Sequence, residues 1–305
     1  MNSKKDIIVE KGLIFRSFLF RLISSENSRH KIEKLTLFLA LVSFLVHLTL
    51  IYLSKYGFIE LPIESNLFSN PISAIYTPFS FILIYEVYLL VYYLPKSFTS
   101  YLTKQYEIIS LIIIRRLFKD LSVLEFSSDW FIISEDLQFT YDLVASIILF
   151  YLIYLFTQQS RRVKKSTSHD LELANFIKMK KIIATLLVPI FFFLASYTLF
   201  QWINGFFFST NVAPLASLNN LFFDEFFTIL ILVDVVLLLI SFFYTDKFHK
   251  IIRNSGFIIS TILLRMSFGV TGLVSTSLIV AAVLYGLIII YIHNKYELKQ
   301  AKQVS

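Results

Sequence analysis

Residues Tyr101–Leu121 read YLTKQYEIISLIIIRRLFKDL, and the way this stretch meets a bilayer decides the fold of the chain. Its longest uncharged run, Ile108–Ile114, is far shorter than the about 20 apolar residues that cross a hydrocarbon core. Wrapped at 100° per residue, Lys104, Glu107, Arg115 and Lys119 fall on one side, and Leu102, Tyr106, Ile109, Ile113 and Leu117 on the other. Local pattern alone therefore describes an amphipathic helix lying in the interface. The rest of the sequence points elsewhere.

Outward from this stretch, seven spans are clear: Leu35–Leu53, Ile75–Leu94, Phe139–Phe156, Ile182–Phe200, Phe226–Phe243, a shorter Phe257–Gly272, and Leu273–Tyr291. Pro95 closes the second, Pro189 is expected to kink the fourth, and Gly272 marks the turn between the last two. The composition agrees. The mean hydropathy is +0.71, with 56% hydrophobic and 16% charged residues, where soluble domains carry about 25% charged. A soluble enzyme, a secreted disulfide-stapled module and a disordered tail are excluded.

Counting basic residues argues for a different path of Tyr101–Leu121. With a surface helix, 13 lysines and arginines fall inside and 14 outside, which is no bias at all. With a crossing helix, 23 fall inside and only Lys55, Arg115, Arg116 and Lys119 outside, Arg265 being intramembrane. The positive-inside rule selects the second arrangement. The expected fold is an all-α polytopic bundle of about eight membrane helices, seven clear and one charged and embedded, with both termini cytoplasmic. Such a charged helix crosses only where protein or water surrounds it. The expected organisation is a cytoplasmic segment 1–34, a membrane domain 35–293 and a cytoplasmic tail 294–305. Within the first, Asp6–Ile23 reads as a cationic interfacial helix too charged for a cleavable signal.

Ionisable groups at mid-membrane cost about 2.5–3.5 kcal/mol each on insertion scales and are candidates for function. Asp234, in ILILVDVVLLL, and Arg265, in ISTILLRMSFG, flank a short basic loop, Thr245–Gly256, so they sit on neighbouring helices of an antiparallel hairpin, within reach of each other. Counted from that loop, both lie roughly 12–14 Å deep. They form either a packing ion pair or a gate that opens when a cation or proton competes for Asp234; Glu86 is an alternative partner for Arg265. Glu86 sits among Tyr85, Tyr88, Tyr92 and Tyr93 as a potential proton carrier, or is held by tyrosine hydroxyls or a basic helix. His47 is a proton relay or a packing hydrogen-bonder. Glu107 and Arg115 mark the two ends of the embedded helix.

Asp120, Glu125, Asp129, Glu135 and Asp136, with Asp142 just inside the next helix and Glu60, Glu64, Asp224 and Glu225 on the same side, would form an acidic outer mouth that concentrates cations. Arg161, Arg162, Lys164 and Lys165 head a basic cytoplasmic segment suited to anionic lipid or an acidic partner.

No enzyme is expected. The sequence holds no cysteine, no HExxH, GxSxG, Walker loop or GxGxxG, and no arginine ladder of the voltage-sensor kind. His30, His47, His169, His249 and His293 are scattered without ligand spacing, so no metal or cofactor is expected. The net charge of +7 belongs to cytoplasmic loops rather than to nucleic-acid binding. The sequence reading is a small-cation or proton channel or secondary transporter using Glu86, Asp234 and Arg265. Its setting is expected to be a bacterial inner membrane, with self-association or a partner membrane protein. The competing reading is a non-catalytic membrane subunit or scaffold whose charges are structural.

Overall fold

A computed structural model describes residues 25–58, 71–121, 134–162, 171–208, 215–244, 248–270 and 272–304. It is all-helical, with no strand among the described residues. Helix α1 spans Glu26–Lys55, capped by Ser25, whose hydroxyl accepts from the Ser28 amide at 3.1 Å. A 3-10 turn, Pro71–Ile75, leads into α2, Tyr76–Tyr93, which stops ahead of Pro95 as the restriction on pre-proline residues requires. The charged stretch forms α3, Phe98–Leu121. Then come α4, Ser134–Arg162, α5, Leu171–Phe208, and α6, Leu215–Phe243. The last two are α7, Phe248–Met266, extended by a 3-10 turn to Gly269, and α8, Gly272–Val304. Gly272 enters α8 at a φ of 70°, which a Cβ would make costly.

Five helices are long and apolar enough to cross a bilayer: Glu26–Lys55, Leu137–Arg161, Glu225–Phe243, Phe248–Gly269 and Gly272–Gln300. Thr77–Tyr93 is shorter. Large apolar side chains stand on the outside of the bundle, among them Phe38, Ile147, Tyr154, Phe192 and Phe193. An aqueous surface would penalise such a coat, and a hydrocarbon surrounding removes the penalty. Length, composition and coat together describe a multi-pass membrane protein.

One sequence expectation needs correction. Most of Thr245–Gly256 is not a loop: α7 begins at Phe248, so His249, Lys250 and Arg253 occupy its first turns. Counting apolar residues finds only the dry part of a helix, while its polar end continues into the interface. Pro189 lies inside a continuous α5.

The charged helix α3 is the centre of the bundle. It packs on α2, α4 and α7, while α8 packs on α4 and α7, α6 on α5 and α7, and α1 on α2. Its predicted apolar face is buried through Leu102, Tyr106, Ile109 and Ile113, all at 4% exposure or less. Tyr101, Ile108 and Ile112 are buried as well, so burial extends well beyond one face, as in a helix enclosed by others.

Aromatic side chains interdigitate in the core: Phe156 meets Tyr106 and Phe257 edge-on, and Phe227 stacks on Phe268 with ring centroids 4.8 Å apart. Small residues also matter, which the sequence reading missed. On α8, Gly286 lets the Tyr106 ring approach the helix backbone. On α7, Gly256 faces Ile289 of α8. Tyr106 and Ser260 share a hydrogen bond of 2.6 Å, and Ser260 donates to the Ala282 carbonyl at 2.7 Å. The small pairs Gly256/Ser260 and Ala282/Gly286, each four apart, draw α7 and α8 together in the way small-xxx-small patterns do in membranes.

A Cβ at position 286 would overlap the Tyr106 hydroxyl and lie 3.0 Å from the ring carbon that bears it. Gly286→Ala is expected to lower stability by about 1–3 kcal/mol. Adding Tyr106→Phe removes the nearer contact and should recover part of that loss. Thermal unfolding in detergent measures both, and an unchanged Gly286→Ala midpoint contradicts the close approach.

Candidate functional site: a buried ion pair beside an enclosed polar helix

Thr261 and Arg265 are four residues apart on α7 and therefore share a face, which α6 meets at Asp234. Arg265 Nη2 lies 2.8 Å from Asp234 Oδ2, and the Thr261 hydroxyl donates to the same oxygen at 3.4 Å. The two charged side chains are 4% and 0% exposed. The matching depths read from the sequence thus become a direct contact. The buried Tyr101 and Gln105 of α3 stand beside the pair. The Asp234 carboxylate also feels Lys180 of α5, whose buried ammonium donates to the Lys96 carbonyl at 3.0 Å and lies 4.0 Å from the Phe98 ring centroid.

Glu86 does not meet Arg265. It is 3% exposed on α2, and Arg115 of α3 is the charge that acts on it. Farther along α3, Arg116 Nη1 lies 3.5 Å from Asp142 Oδ2 on α4 and 3.3 Å from the Ser275 hydroxyl on α8. Asp142 also accepts from Gln138 at 3.0 Å and from Thr276. Asp142 lies within α4, as the sequence reading placed it, and is fully buried as a structural partner inside the bundle.

Of the other predicted residues, Glu107 pairs with Lys104 one turn earlier on α3. His47 makes a hydrogen bond with Thr77, joining α1 to α2. The Asp234–Arg265 pair and the Glu86–Arg115 grouping lie along different stretches of α3, and His47 and Glu107 belong to neither. Arg161 is exposed near the end of α4. Lys164, Lys165, Glu60, Glu64, Glu125, Asp129 and the interfacial helix at Asp6–Ile23 lie outside the described residues, as do the side chains of Arg162, Glu135, Asp136 and Asp224.

One grouping was missed. His249, His293 and Glu297 come together where α7 begins and α8 ends. The signal available in the sequence was the four-residue spacing of His293 and Glu297, with His249 facing them across the hairpin.

No family model matches this chain, and neither the curated proteins nor the solved structures give a match. The reading of the site rests on its own chemistry.

Removing one member of a buried pair leaves the other charged and unsolvated, at a cost of about 3–5 kcal/mol. Asp234→Asn is therefore expected to destabilise the protein, whereas Asp234→Leu with Arg265→Leu is expected to restore stability to near the starting value. A two-by-two comparison of unfolding midpoints tests this. Additive losses in the double variant contradict the pairing.

Proposed function

We propose that this protein moves protons or a small cation across a membrane, as a channel or secondary transporter. The observation that supports the reading is the row of polar groups carried inward by α3. Gln105 and Tyr101 stand beside Asp234, the buried Ser110 follows, and Arg115 acts on Glu86. From Tyr101 to Arg115 this row extends roughly 21 Å along the helix. Two buried carboxylates near the ends of a polar row on an enclosed helix are the parts of a proton path. In this reading Asp234 exchanges its bond to Arg265 for a proton or cation, and Glu86 does the same against Arg115.

The reading carries the topology with it. Eight membrane helices, with α3 crossing, leave 23 of the 28 lysines and arginines on the side of both termini. That side is the cytoplasm of a bacterial inner membrane, where the exposed Arg161 and its basic neighbours would meet anionic lipid or a partner.

The second reading, a non-catalytic membrane subunit, is favoured by how completely Asp234 is buried against Arg265. Flux separates the two. Reconstituted wild-type protein is expected to pass protons or a small cation down a gradient, at least about tenfold faster than folded Glu86→Gln or Asp234→Asn. Normal flux from both variants contradicts the pathway. Absence of wild-type flux under every gradient tried supports the subunit reading.

A further inference from the structure

Where α7 begins and α8 ends, three potential metal ligands converge. His249 lies in the first turn of α7, and His293 and Glu297 lie one turn apart on a single face of α8. His249 Nε2 is 3.5 Å from Glu297 Oε1, and His293 Nε2 is 3.7 Å from the same oxygen. The three ligand atoms all lie within 4.8 Å of one another, and the two imidazoles stack with centroids 5.4 Å apart.

We propose that His249, His293 and Glu297 bind a divalent transition-metal ion, with zinc the ion this ligand set fits best. Metal–ligand bonds of about 2.0–2.2 Å in a tetrahedral site put neighbouring ligand atoms about 3.3–3.5 Å apart. Two edges of that figure are already close to this separation, and the third closes by a shift on the order of 1 Å. Two imidazoles with one carboxylate suit zinc and its neighbours rather than calcium or magnesium, which take oxygen ligands. Both histidines are held by packing, at 9% and 1% side-chain exposure, while Glu297 is 39% exposed and gives the ion a way in. Three protein ligands leave a fourth position open to water or another donor.

Arg253 regulates access. Its Nη1 lies 3.1 Å from His293 Nε2, so the guanidinium donates to the lone pair that a metal would take. Its other nitrogens, Nε and Nη2, already donate to Asn254 Oδ1 at 3.3 and 3.0 Å, which gives the guanidinium a resting place when it releases the imidazole. The ion and the arginine compete for one nitrogen. Arg265 lies roughly 24 Å away along α7, so the metal site stands or falls independently of the transport reading.

Calorimetric titration of the full-length, chelator-stripped protein in detergent with zinc chloride tests the site. One ion per chain is expected. Glu297→Gln should weaken binding by about tenfold or more, and His249→Gln with His293→Gln should abolish it. Arg253→Gln should tighten it by about tenfold, because a neighbouring positive charge is removed. Cobalt(II) substitution adds a readout independent of heat: visible absorption of a four-coordinate site in the wild type, lost in the histidine variant. If that variant fails to fold, Glu297→Gln, altered at a partly exposed position, decides the matter. Equal zinc affinity in the wild type and Glu297→Gln overturns the proposal.

Discussion

Hydrocarbon offers no partner to a charged side chain, and the interior of this protein is arranged around that constraint. Each buried charge described above is met by protein: Asp234 by Arg265 and Thr261, Asp142 by Arg116, Gln138 and Thr276, and Lys180 by a backbone carbonyl and two aromatic rings. Helix α3 buries the uncharged Thr99, Gln105 and Ser110 and reaches the buried acids through its partly exposed arginines. Its neighbours α2, α4 and α7 supply the counter-charges and hydroxyls that a bilayer lacks. The outer helices need no such matching, and α1 turns Leu35, Phe38, Leu41 and Leu45 outward over half or more of their surface.

The same constraint explains why the close contacts cluster on α7 and α8. Lipid tails give apolar helices little reason to prefer one another, so packing and hydrogen bonding decide the arrangement. Gly256, Ser260, Ala282 and Gly286 let two backbones approach, and the Tyr106 hydroxyl enters the gap to bond Ser260. This approach fixes where α7 stands, and with it the face that presents Thr261 and Arg265 to Asp234. At the far end of the same hairpin, Asn294 donates to the Gln159 carbonyl at 3.0 Å and ties α8 to α4.

Much of this was legible in the sequence because membrane depth is a one-dimensional quantity. Distance from a loop can be counted along a chain, which is how Asp234 and Arg265 were matched before any fold was known. Azimuth cannot be counted without the neighbours, and there the reading was open or wrong. It left Arg265 a choice between Asp234 and Glu86 and treated five histidines as scattered. His249 and His293 are 44 positions apart and meet only because the hairpin folds back on itself. The helical start of α7 at Phe248 was hidden because its first turns are polar.

Whether α3 crosses the membrane is the claim on which the rest of the account turns. Since the natural sequence has no cysteine, single cysteines report position without background. Ser97, exposed just ahead of α3, and Ser127, beyond its end, are suitable sites. In intact cells, an impermeant maleimide is expected to label Ser127→Cys and to reach Ser97→Cys only after permeabilisation. Labelling of both positions from the same side would make α3 a surface helix and contradict the account.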